Sequence, residues 1–61
     1  LIKEDVNYQV YTDQGVLHGA ADTVQIDDET GFTKINKKNG GLIILVPGTY
    51  GRIELNPIEE D

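Results

Sequence analysis

Asn39-Gly40-Gly41-Leu42-Ile43-Ile44-Leu45-Val46-Pro47-Gly48-Thr49-Tyr50 is the stretch on which the reading of this chain turns. It opens with a hairpin signal, because Asn39 and Gly40 both tolerate the positive φ that a tight turn between antiparallel strands requires. An unbroken apolar run then extends from Leu42 to Val46 and stops at Pro47. Val46, standing before a proline, is biased towards extended backbone. A strand that is apolar at every position is one buried on both faces or lying at an interface.

Outward from this stretch the punctuation is regular. Asp13-Gln14-Gly15 and Asp28-Glu29-Thr30-Gly31 mark earlier turns, and Pro47-Gly48-Thr49-Tyr50-Gly51 marks a later one. Asp28 is suited to accept backbone hydrogen bonds at the head of its turn, and Gly31 to take the left-handed position that closes it. Between turns, Val6, Tyr8 and Val10 alternate with polar or outward residues, as do Val24 and Ile26, and Ile53 and Leu55 mark a last short strand. Val16, Leu17, Ala20, Ala21 and Val24 also fit one helix face, but Gly15, Gly19, Thr23 and the valines oppose a stable helix. Composition agrees with strands: 5 Val, 7 Ile and 5 Thr stand against 2 Ala in 61 residues. The expectation is an all-β chain of five or more mostly antiparallel strands, one small domain over residues 1–56 with an acidic tail or linker at 57–61. Starting at Leu1 rather than Met, it reads as a piece of a longer chain, with room upstream for a targeting segment.

Charge is unevenly distributed. Residues 1–33 carry net −6, residues 34–53 net +4 and residues 54–61 net −4, for −6 in all. Such an acidic balance opposes a nucleic-acid partner. The basic cluster Lys34, Lys37 and Lys38 reads as a solvated turn that discourages edge-to-edge pairing, with a small phosphate-contacting patch as the sharper alternative. The chain has no Cys, no Ser and one His, which removes disulfides, Cys/His zinc sites and Ser or Cys nucleophiles. No catalytic residue, metal site or cofactor is expected. His18 reads as a surface residue, Asp27-Asp28-Glu29 as turn capping rather than a calcium loop, and Tyr11, Phe32 and Tyr50 as a thin stacking platform at best. No apolar run approaches a membrane span.

Residues 13–50, through Val24-x-Ile26-Asp27, Thr30-Gly31-Phe32-Thr33 and the Gly40–Tyr50 stretch, resemble the Cna B-type and carboxypeptidase-regulatory-like repeats, which are prealbumin-like β-sandwiches. The resemblance implies a small antiparallel sandwich in which Leu42, Ile44 and Val46 face the core and Tyr50 packs inward with its hydroxyl on nearby backbone. It also implies that Gly19-Ala20 permits a close approach. Asp22 stands where such repeats are apolar, so a bulge is expected there. Gly51 is an insertion relative to the pattern. The isopeptide crosslink common in such domains is not expected: Val6 to Thr12 holds no Lys, Lys3 lies upstream, and Glu54 reads as an ordinary surface carboxylate.

The full core expectation is Tyr8, Val10, Leu17, Val24, Ile26, Ile35, Leu42, Ile44, Val46, Tyr50, Ile53 and Leu55. A shortened sandwich needs cover from another copy, a neighbouring domain or a partner protein, with Ile43 and Leu45 at that interaction surface. The expected function is a non-enzymatic structural or adhesive module of a cell-surface or virion appendage protein, located outside the cell or on a virion. The alternative is a free-standing SH3-like or Sm-like five-stranded barrel for protein or RNA binding, with the cytoplasm open to it.

Overall fold

A computed structural model describes residues 1–59; Glu60 and Asp61, the end of the expected tail, lie outside the described residues. Five strands follow one another: β1 (Ile2–Thr12), β2 (Gly15–Ile26), β3 (Thr33–Lys37), β4 (Leu42–Leu45) and β5 (Arg52–Pro57). All pairs are antiparallel, and one sheet in the order β4-β3-β2-β1-β5 contains every strand. The all-β, antiparallel expectation therefore holds. No second hydrogen-bonded sheet is seen among the described residues, and the segment that also fits a helix is strand β2 throughout. Strand β5 includes Pro57, and the Ile58 N–H donates to the Asp5 carbonyl.

A flat sheet leaves one face bare, yet Val10, Val24, Thr33 and Ile35 are fully buried. The sheet reaches this by coiling, so that Ile53 and Leu55 of β5 join Val6, Tyr8 and Val10 in the same cluster as Ile35, Ile43 and Leu45. Each such side chain withdrawn from water contributes about 1.5–3 kcal/mol. Tyr50 closes the fold from the loop after β4. Its half-buried ring packs on the core while its hydroxyl donates to the Gly31 carbonyl at 3.2 Å and lies 3.3 Å from the Thr33 hydroxyl.

The two long strands change phase in the middle. Ala21 and Val24 are both buried although they lie three positions apart, and in an unbroken strand that spacing points to opposite faces. The β2–β3 register shifts between Ala21 and Thr23, so the expected bulge at Asp22 is present. Opposite it, Asp5 adopts φ 52, a left-handed state that Asp tolerates better than most residues. Lys38 reaches both carboxylates, 2.7 Å to Asp5 and 2.9 Å to Asp22, and the two together hold its pKa above that of an ordinary lysine.

The β4 register corrects the core expectation. Leu42, Ile44 and Val46 are 54%, 59% and 46% exposed, whereas Leu45 is 7% exposed and Ile43 packs on the core. The cause is the β3–β4 turn. A two-residue turn at Asn39-Gly40 would pair Ile35 with Ile44 and bring the even-numbered residues inward. Instead the Lys37 N–H donates to the Gly41 carbonyl, the Gly40 N–H donates to the Lys37 carbonyl, and only Gly40 takes positive φ. That is a three-residue turn with a glycine bulge, and it pairs Ile35 with Ile43 and Thr33 with Leu45. Leu17 is a second correction. It pairs with Val10 but lies near the turn end of the β1–β2 hairpin and is 47% exposed.

Two outcomes follow. Leu45→Ala is expected to lower the unfolding free energy by about 2–5 kcal/mol, and Ile44→Ala to change it by no more than about 0.5 kcal/mol. Urea unfolding of both variants checks this, and equal losses would contradict the register. At Gly19, an added Cβ would sit 2.7 Å from the Tyr8 hydroxyl and 3.0 Å from the ring carbon bearing it. Since Tyr8 is buried, Gly19→Ala is expected to cost about 1–3 kcal/mol in the same measurement.

Candidate interaction surface

The outer side of the sheet, away from the core, carries two rows of cross-strand neighbours. The first runs Ile2–Gln25–Lys34–Ile44 across β1, β2, β3 and β4, and the second runs Glu4–Thr23–Asn36–Leu42 across the same strands. Asn36 donates its side-chain N–H to the Thr23 hydroxyl at 2.8 Å, which fixes the middle of the second row. Ile2 and Ile44, 61% and 59% exposed, frame the first row, and Leu1 and Phe32 extend it at one end. Together they border a groove of about 430 Å³ that Lys34 and Asp27 also line.

Asp27 builds the wall of this groove. Its Oδ1 accepts the Glu29 N–H at 2.9 Å and the Thr30 N–H at 3.4 Å, and its own N–H donates to the Phe32 carbonyl. Gly31, at φ 80, donates its N–H to the Asp27 carbonyl. The backbone capping expected of Asp28 thus falls to its neighbour. Those N–H groups hold the Asp27 carboxyl below the usual carboxylate value of 3.8.

β4 is also one edge of the sheet. The bond from the Lys37 N–H to the Gly41 carbonyl sets the ladder's phase, so the N–H and C=O groups of Ile43 and Leu45 point to β3. Those of Leu42 and Ile44 point to the open side. The residues with open backbone are therefore the residues with exposed apolar side chains. Ile43 and Leu45, expected at an interaction surface, line the core instead. The opposite edge, β5, carries Arg52, Glu54 and Pro57. There Arg52 stacks 4.7 Å over the Tyr11 ring and pairs with Glu54.

The three lysines do not share a surface. Lys34 lies in the groove row and makes no ion pair among the described residues. Lys37, half-buried, has the opposite phase on β3 and lies over Gly41. Lys38 is taken up by Asp5 and Asp22. The aromatic side chains are equally dispersed, with Tyr11 near β5, Phe32 at the groove and Tyr50 turned inward. His18 is exposed opposite Gln9, beside Asn7 and Asn56 in a polar hollow of about 480 Å³. A larger hollow of about 590 Å³ separates the β1–β2 tip from Gly48 and Thr49, but it opens between turns and gathers no cation. Lys3 and Glu54 lie at levels of β1 about 20 Å apart, opposite Val24 and Gln9. Among the described residues no helix is long and apolar enough to cross a membrane. Comparison with family models, curated proteins and solved structures finds no match to the chain.

The Asp27 turn gives a pH signature. Because the folded pKa is depressed, the turn's stabilisation is complete above 3.8 and is withdrawn as pH falls from there through the lower folded value. Amide exchange at Glu29 and Thr30 is expected to lose protection only in that acidic window, and Asp27→Ala to lose it at every pH. Protection of these amides that persists in Asp27→Ala would show that the carboxylate does not hold the turn.

Proposed function

We propose that this chain is a structural β-module that works by holding another polypeptide against the β4 side of its sheet. The observation that carries the reading is the coincidence, at Leu42 and Ile44, of open edge backbone with exposed apolar side chains beside the apolar groove. Isolated exposed aliphatics are ordinary on a protein surface, but a contiguous set next to an uncovered edge is a contact surface. The strand order, with β5 returning to β1, supports the SH3-like barrel form of such a module. The structural role in a surface or virion appendage remains part of the proposal. The scattering of Lys34, Lys37 and Lys38 over separate surroundings gives little support to the RNA-binding form.

A photo-crosslinking residue in place of Ile44, introduced in the cells that make the protein, is expected to join one identified polypeptide, either another copy or a different chain. The same residue in place of His18, exposed on the outer side but distant from β4, is expected to give at least about tenfold less adduct. Equal or absent adducts at the two positions would overturn the reading.

A further inference from the structure

We propose that the polypeptide held at β4 is a second copy of this chain, joined by antiparallel pairing of β4 with β4 about a two-fold axis at Ile44. This rests on the reading of the β4 side as the working contact and names its occupant. The exposed side chains Leu42, Ile44 and Val46 are symmetric about Ile44. On that axis Ile44 faces Ile44 of the second copy, and Leu42 faces Val46 of the second copy, apolar against apolar throughout. The outward N–H and C=O of Ile44 exchange hydrogen bonds with their own equivalents, which is the self-complementarity that a two-fold interface demands. The seam ends naturally, since the Val46 carbonyl already accepts the Thr49 N–H and hydroxyl, and Pro47 has no N–H.

Charge selects the same pairing. Each copy carries −6, so two copies repel at most approaches. Residues 39–51 are the longest uncharged stretch of the chain, and β4 lies within it. Across the proposed seam the backbones of the two Lys34 residues stand about 14 Å apart, three strand spacings, beyond the screening length of about 8 Å at physiological salt. The alternative of β4 pairing with β5 of another copy would grow an open fibre, and Arg52, Glu54 and Pro57 blunt that edge. The closed dimer is the favoured product. With a seam this short the buried area falls below the usual 1,200 Å² or so of stable complexes, so the dimer is expected to be weak and transient.

The chain has no cysteine, so any disulfide in a single-cysteine variant is intermolecular. Ile44→Cys places two thiols on paired residues with Cα atoms about 5.5 Å apart, within disulfide reach. Under mild oxidation it is expected to dimerise at least about tenfold faster than His18→Cys, and a mixture of Leu42→Cys and Val46→Cys to form mainly the mixed dimer. Sedimentation of the unsubstituted chain over a concentration series is expected to show monomer passing to dimer. Ile44→Pro, which removes only an outward N–H, and Ile44→Lys are each expected to weaken that association at least tenfold while keeping the β circular dichroism. A monomer at every concentration to about 1 mM, or Ile44→Cys no faster than His18→Cys, would overturn the pairing. Should the photo-crosslinker at position 44 still capture a different polypeptide, the second copy is refuted and the contact reading stands.

Discussion

Lys38 leaves the β3–β4 turn to place its ammonium between the carboxylates of Asp5 and Asp22, where both long strands change phase. Asp5 and Asp22 stand opposite each other, between the pairs Glu4–Thr23 and Val6–Ala21, and two like charges so placed repel unless an opposite charge compensates them. Lys38 supplies it while its own backbone N–H donates to the Ala20 carbonyl, so the turn is tied to β2 by main chain and side chain together. Before this point Val24 and Ile26 face the core; beyond it Val6, Tyr8, Val10 and Ala21 do. Without the phase change β2 could turn only one of Ala21 and Val24 to the core.

The same turn decides what β4 shows to its surroundings. Tying Lys38 down favours the three-residue turn, and that turn sets the pairing of Ile35 with Ile43. One residue more in the loop exchanges the buried and exposed rows of the strand. The interaction surface is therefore a consequence of turn geometry as much as of side-chain hydrophobicity. It lies at one edge of the sheet, while the charges of Arg52 and Glu54 protect the other.

Packing across the coil relies on few large groups. Tyr8 uses the space that Gly19 leaves on the neighbouring strand, and Tyr50 ties the loop after β4 to Gly31 and Thr33. Neither phenol serves a surface role. Each fills volume with a ring and, for Tyr50, satisfies its hydroxyl against backbone that lies outside the β ladder. A chain of this size has little core to spare, and these two contacts bring the halves of one sheet over each other.

The amino-acid sequence by itself determined the strand-rich class and the places of the turns, each a local consequence of backbone preference or alternation. The bulge at Asp22, the close approach at Gly19 and the inward Tyr50 were expected only from a resemblance to other sequences. Alternation also marked Val6, Tyr8 and Val10, since a polar neighbour on either side leaves one choice of face. Leu42 to Val46 offered no such choice, because an apolar residue stands at every position and either register buries hydrophobic surface. Only the tertiary structure decided that register, through the length of the turn at Lys38–Gly40. Only it brought Lys38 to Asp5, 33 residues away, gave Asp27 rather than Asp28 the capping bonds, and joined all five strands into one sheet. Those outcomes depend on which distant groups meet once the chain has coiled, and a linear pattern of polar and apolar residues does not encode that meeting one residue at a time.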